Sequence, residues 1–258
     1  MESLKIQLFG GRGRRSGLGV GGLPLDYGYD NNKRQIKTNV SEHMKRFRKL
    51  NDVKFSKVIQ KANKTHLPEH LNSDSLLQKV VHIENLNDKP TILNEKEFNS
   101  YVKESKTIIC YRGIRPNGDL SAEEIRDITK YADYTYIGNG IHGDGIYFTT
   151  LESEAEGYGE CIMTIAIKRD AKIINKKEAL ELYNEEKRNH TLVGESLRNI
   201  NYPPGRMLGR KYKNASVVAL QKGYDIIKVE GGNRGDGTTE YTGDFYIVLN
   251  RAAIVIKE

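Results

Sequence analysis

Residues 143–159 read GDGIYFTTLESEAEGYG. Glycines flank an aspartate, four strand-like residues follow, and Tyr158 comes eleven positions after Tyr147. Side chains alternate along an extended chain, so Gly145, Tyr147 and Thr149 share one face while Ile146 and Phe148 take the other. The apolar pair is expected to face a core. Tyr147 is then expected on the side where Gly145 leaves room for a ligand to approach the backbone. SEAEGYG reads as a short helix that brings Tyr158 back across the same cleft, so that two phenol rings face one flat aromatic ligand. Ring stacking contributes only about 0.5–1.5 kcal/mol per pair, enough to position a leaving group and far too little to expel it.

The flanking segments predict an α+β fold. Upstream, KTIICYRGI (106–114) is a strand ending at Arg112 and Gly113, and SAEEIRDITKYA (121–132) is a helix with a capping box at Ser121 and Glu124. Downstream, CIMTIAIK and AKIIN are strands, ASVVALQKGY is a helix closed by Gly223, and DIIKVEGG is a strand. NRGDGTTEYTG is a polar loop, mobile beside the cleft, and DFYIVLNRAAIVI is the last strand. The alternation lacks the strict rhythm of a parallel βαβ sheet. Two packed, mainly antiparallel sheets with helices laid on one side are therefore expected.

The N-terminal part differs in texture. Residues 1–35, with GRGRRSGLGVGG at their centre, offer no face to bury and read as a flexible Gly/Arg-rich basic arm suited to a partner or nucleic-acid contact. Residues 36–105 form a basic helical lobe. Helical spacing runs through 38–62 with Ser41 as N-cap, a second helix falls in 67–86, and a third in 92–105 is capped by Asn94. Residues 106–258 make the third unit.

Composition sets outer bounds. The chain has 258 residues, 37% hydrophobic and 29% charged, with net charge +7 and 15 Tyr against no Trp. Mean hydropathy is −0.63 and the isoelectric point about 9.1, which admits phosphates, nucleic acid or acidic proteins as partners. Cys110 and Cys161 sit in apolar runs and read as buried thiols; no Cys/His spacing suggests a metal. No apolar run approaches 18 residues and no secretion signal opens the chain, which predicts a soluble, cytoplasmic protein without membrane contact. Lys168, Arg169 and Lys172 are expected as a solvent-facing basic edge.

Taken in order, CYRGI (110–114), GDGIYFTT followed by Tyr158, GYDIIKV and GDFYIVLNRAAI resemble the catalytic domain of ADP-ribosyltransferases over roughly 106–258. The middle motif is similar to the poly(ADP-ribose) polymerase and diphtheria-toxin branch. Tyr-Arg-Gly resembles the arginine-type toxin branch instead, whose Ser-Thr-Ser strand is replaced here by Thr149 and Thr150. The whole looks most like transferase-like proteins carried by phages and prophages. The resemblance implies NAD+ as a substrate and no metal. Tyr147 and Tyr158 would hold nicotinamide, Arg112 would fork to a phosphate or ribose oxygen, and Tyr111, Gly113, Gly145 and Thr149 would complete the cleft. The acceptor would be a macromolecule, expected to be a host protein met in the host cytoplasm or from the virion, with NAD+ hydrolysis as a side reaction.

Cleaving the nicotinamide–ribose bond passes through an oxocarbenium-like state that calls for a carboxylate. The family supplies it as a glutamate at the start of the last strand. This chain offers Asp244 there, favoured as the catalytic carboxylate, and Glu240 in the loop, favoured for presenting or deprotonating the acceptor. The absent Glu-x-Glu pair keeps a second expectation open: a catalytically inactive module that binds a capsid protein or nucleic acid.

Overall fold

The computed structural model describes residues 36–258 except 73, 135–136, 201, 203–208, 234–239 and 242, and only the backbone of Asn139, Gly232, Asn233, Glu240 and Tyr241. The basic arm, 1–35, and most of NRGDGTTE lie outside the described residues.

The chain begins with helices α1 (Glu42–Phe47), α2 (Asp52–Lys64) and α3 (Leu76–Ile83). A short strand β1 (Thr91–Leu93), helix α4 (Glu95–Ser105), strand β2 (Ile109–Ile114) and helix α5 (Ala122–Tyr131) follow. Then come β3 (Gly138–Gly140), β4 (Gly143–Thr149), α6 (Glu152–Glu156), β5 (Cys161–Ile167) and β6 (Ile173–Asn175). Helices α7 (Lys176–Arg188), α8 (Leu192–Arg198) and α9 (Arg210–Gln221) precede β7 (Ile226–Val229). The chain ends with β8 (Gly232–Asn233), β9 (Glu240–Tyr241), β10 (Phe245–Val248), a 3-10 turn at Arg251–Ala253 and β11 (Ile254–Lys257).

Local chemistry accounts for most of the helix starts. Ser41, Asn51, Ser75, Asn94, Ser121 and Thr191 each accept a backbone N–H with their side chain, and Asn94/Glu97 and Ser121/Glu124 close reciprocal capping boxes. The single helix expected over 38–62 is two, because Asn51 caps a fresh start after Arg48.

Two packed sheets were expected; nine strands instead form one hydrogen-bonded sheet, β1-β11-β5-β2-β4-β10-β7-β6 with β3 paired to β4, and β8 and β9 pair apart from it. The outer pairs β1/β11 and β6/β7 are parallel and the inner ones antiparallel. The path narrows at its middle. β2 and β4 share the single register pair Tyr111↔Thr149, whereas β2 meets β5 over six pairs and β4 meets β10 over four.

Alternation sorts the side chains of the two halves into three apolar clusters. Ile146, Phe148, Tyr246, Val248 and Ile226 from one half meet Cys110, Ile114, Met163, Ile165, Ile254 and Ile256 from the other in a core common to both. The opposite face of β4, β10 and β7, carrying Tyr147, Phe245, Ile247 and Ile227, packs under α1–α3 and α7–α9. On the other half, Val255 and Ala166 pack against Phe98 and Tyr101 of α4.

DFYIVLNRAAIVI, expected as one strand, is therefore two. β10 lies beside β4, and the chain turns at Asn250 so that β11 can join β5 in the other half. The Asn250 side chain fixes that turn by accepting from the Ala252 N–H at 3.1 Å while donating to Asp225 at 2.8 Å.

Candidate active site

The narrow point of the sheet is held open by a helix. Beyond Tyr111↔Thr149 the two strands part, and the end of α6 is wedged against β2. A Cβ on Gly113 would sit 1.9 Å from the Ala155 carbonyl oxygen and 2.7 Å from the Gly159 nitrogen. A Cβ on Gly159 would likewise strike the Ile114 carbonyl at 2.3 Å, so both positions demand glycine. The strand of Arg112, the strand of Tyr147 and the strand that follows Asp244 are thereby three consecutive neighbours.

Tyr147 is an interior residue, 5% exposed, whose hydroxyl donates to the Gly143 carbonyl at 2.6 Å. Its ring lies over β3, where a Cβ on Gly140 would meet the hydroxyl oxygen at 2.1 Å. The room expected beside Gly145 belongs to β10 and not to a ligand: a Cβ there would lie 2.4 Å from Ile247 Cγ2. Tyr158 follows the end of α6, half-buried, and packs on the same helix-side cluster as Tyr147. The two tyrosines are thus brought to one cluster, with Tyr158 the more accessible.

Arg112 is 6% exposed, so it is no surface charge. It pairs in register with Met163 and alternates with Cys110 and Ile114, which puts it on the face of the shared core. Tyr147 leaves the sheet from the opposite face. Arg112 and Tyr147 therefore do not line one face in common. Tyr111 lies half-buried at the edge of that gap, its phenol pKa pushed up by burial and by the Glu152 carboxylate.

The carboxylates are arranged differently from expectation. Asp244 Oδ1 accepts the Gly231 N–H at 2.8 Å and Oδ2 pairs with Lys228 Nζ at 2.9 Å. Burial works to raise its pKa, but the Gly231 amide and the Lys228 ammonium outweigh it and hold the group below the ordinary aspartate value. Asp244 is anionic at neutral pH and already committed to two partners. The Glu240 backbone pairs with Asn233 between β9 and β8, and its side chain lies outside the described residues.

A third carboxylate, Glu154 on α6, went unnoticed in the sequence. It accepts from Thr149 Oγ1 at 2.5 Å and from the Gly243 N–H at 3.2 Å. It thus joins the end of β4 to the residue preceding Asp244. Thr150 and Asp244 reinforce the join, Thr150 N–H to Asp244 carbonyl at 3.0 Å and Asp244 N–H to Thr150 Oγ1 at 3.1 Å. An acidic residue in a helix's first turn is so common that nothing in the sequence marks Glu154 out.

Asp144, between the glycines of the hairpin, is fully buried and accepts from Ser75 Oγ at 2.8 Å. Burial pushes its pKa up to about 6, against the pull of Lys213, Ser75 and the first amides of α3. Cys110 is buried with its thiol pushed up to about 12 by desolvation, an unreactive group as expected; Cys161 is only half-buried. Lys168, expected to face solvent, is 2% exposed, and burial lowers its pKa to about 8; it donates to the Lys37 carbonyl at 3.4 Å. Its long apolar stem is what the packing uses.

Among the described residues no group of three His, Cys, Asp or Glu is disposed to hold a metal ion, and no helix is long and apolar enough to cross a membrane. No protein-family model matches the chain, and neither does any curated protein or solved structure.

Proposed function

We propose that the chain is an NAD+-dependent mono-ADP-ribosyltransferase whose reaction centre is the gap between β2 and β4. The observation that carries this reading is the strand order β2-β4-β10, with the first pair parted after one register contact. That order brings the strands of YRG and GIYFTT and the Gly243–Asp244 approach to β10 into neighbouring places, with Glu154 on α6 and Tyr158 just after it. The core shared by both halves of the sheet supports a path folded on itself, the two-layer arrangement that the resemblance implies.

In this reading Tyr158, the more accessible ring, stacks the nicotinamide, and Tyr147 backs the site from within. Arg112 supplies a fixed positive charge for a phosphate or ribose oxygen, and the Gly113 backbone forms the wall between them. Bond cleavage sends the electron pair out with nicotinamide. The nucleophile of a macromolecular acceptor, a host protein, then adds to the ribose carbon and loses a proton. Asp244 or Glu154 would stabilise the developing positive charge, and Glu240 keeps the role the sequence suggests for it, presenting the acceptor or taking that proton. NAD+ enters as substrate, and water is the competing acceptor. A phage or prophage origin and action in the host cytoplasm belong to the same proposal.

A second reading is favoured by two observations: Asp244 is held by Lys228 and Gly231, and the Tyr147 hydroxyl is already bonded. It takes the protein as an inactive module of this fold that binds a capsid protein or nucleic acid. One assay separates the two. Purified protein incubated with NAD+ releases free nicotinamide in the first reading and none in the second, and labelled NAD+ added to a host lysate reveals the acceptor by mass spectrometry.

A further inference from the structure

Helix α2 carries four lysines, Lys54, Lys57, Lys61 and Lys64, at intervals of three, four and three residues. At 100° per residue these positions fall within an arc of about 80°, and they span about 15 Å along the axis. The buried residues of the same helix, Phe55, Ser56, Ile59 and Ala62, occupy the opposite arc. All four lysines are exposed, and none takes part in an ion pair among the described residues. The only acid on the helix, Asp52, points away from the stripe by this geometry. Like charges four apart on a helix repel, so the row costs stability where it stands.

We propose that this face of α2 binds the phosphate backbone of nucleic acid without reading its bases. Phosphates follow one another at about 3.4 Å along each strand axis, so a 15 Å row of ammonium groups meets about four of them. Other polyanionic partners fit less well. A membrane-surface helix inserts its apolar face, and the apolar face of α2 is buried in the protein core. A protein interface is built around several buried aromatic or aliphatic anchors, and the stripe has beside it the single exposed Val53. Lysine, a flexible point charge without a planar fork, suits phosphate contact more than base recognition. This surface is independent of the gap between β2 and β4 and of the reading given to it.

The test is a salt titration of binding. The full chain and a K54Q/K57Q/K61Q/K64Q variant are titrated onto a fluorescent 20-base-pair DNA duplex between 50 and 200 mM NaCl, followed by anisotropy. A control variant, K96Q/K103Q/K172Q/K177Q, removes the same charge from other exposed positions. All retain residues 1–35, so any contribution of that arm cancels, and matching unfolding temperatures check the fold. The stripe variant is expected to show a log K against log [NaCl] slope shallower by about 3.6, from four contacts at about 0.9 each, with the control near wild type. The proposal is overturned if the wild-type chain does not bind at 50 mM NaCl, if the stripe variant keeps the wild-type slope, or if the control loses as much. Equal or tighter binding to phosphatidylserine vesicles, lost in the same variant, would assign the stripe to a membrane and overturn it as well.

Discussion

A carboxylate buried as completely as Asp144 has a folded pKa, about 6, well above the 3.8 of an exposed aspartate. The folded state therefore binds this proton more readily than the unfolded chain does. The stabilisation is largest at low pH and is lost as pH rises through 6, the reverse of an ion-paired carboxylate. Between pH 7.5 and pH 5 the gain is on the order of 1 kcal/mol. Asp144→Asn keeps the shape and an acceptor for Ser75 but cannot titrate. Urea unfolding of both proteins at the two pH values should show wild type gaining on the order of 1 kcal/mol on the variant at pH 5; a constant difference would contradict the burial argument. At the proposed reaction centre the residues to compare are Glu154 and Asp244. Because the Lys228 ammonium already offsets the Asp244 charge, whereas Glu154 accepts from the uncharged Thr149 hydroxyl and Gly243 amide, Glu154→Gln is expected to lower nicotinamide release at least tenfold, and Asp244→Asn to lower it less. The opposite order would return the catalytic role to Asp244. Most candidate residues were legible as types at particular strand positions: Arg112 and Tyr147 do stand on neighbouring strands of the path. Their faces were not legible. Alternation gives relative sides within one strand, and only the register pair Tyr111↔Thr149 fixes the phase between two.

Elements whose beginnings are written in local chemistry were the readable ones. The caps at Ser41, Asn94 and Ser121 were foreseen and are present, because an N-cap needs only its own few residues. Strand β1 and helices α7 and α8 were missed; β1 has three residues and exists because β11 runs beside it. The break between β10 and β11 also draws on distant chain, since the Asn250 side chain that caps the turn locally at Ala252 is held in place by Asp225. The contact of α6 with β2 makes a prediction at this scale. Gly113→Ala drives a methyl group onto the Ala155 carbonyl, so α6 must move and stability should fall by about 3 kcal/mol. Gly223, with φ of +97° and nothing within 4 Å of its would-be Cβ, is the comparison. Gly223→Ala meets only backbone strain and should cost about 1 kcal/mol. Chemical denaturation of the two variants should separate them by about 2 kcal/mol; equal costs would mean that α6 yields freely.

The chain's distant parts are tied through one buried carboxylate. Asp225, at the start of β7, takes a hydrogen bond and charge pair from Arg48 at the end of α1, a second bond from Asn250 in the β10–β11 turn, and a third from the Lys172 N–H before β6. Its own carbonyl accepts from Leu249 and Asn250. Helices α1–α3 also share their apolar cluster with α7–α9 and with the outer face of β4, β10 and β7. Unfolding one of these parts would expose the others and leave the buried Asp225 side chain without its partners, so the described residues should unfold together. The 15 tyrosines, free of tryptophan, give a tertiary signal, and far-UV circular dichroism gives the helices. The two transitions should coincide along a urea titration. Asp225→Ala should lower stability by about 3–5 kcal/mol, since it leaves Arg48 and Asn250 without their partner. The transitions should still coincide, because the variant weakens a shared tie without creating a new boundary. A helical transition that separates from the tyrosine signal, in either protein, would show that residues 36–105 fold as a unit of their own and that the Asp225 contacts only decorate its border.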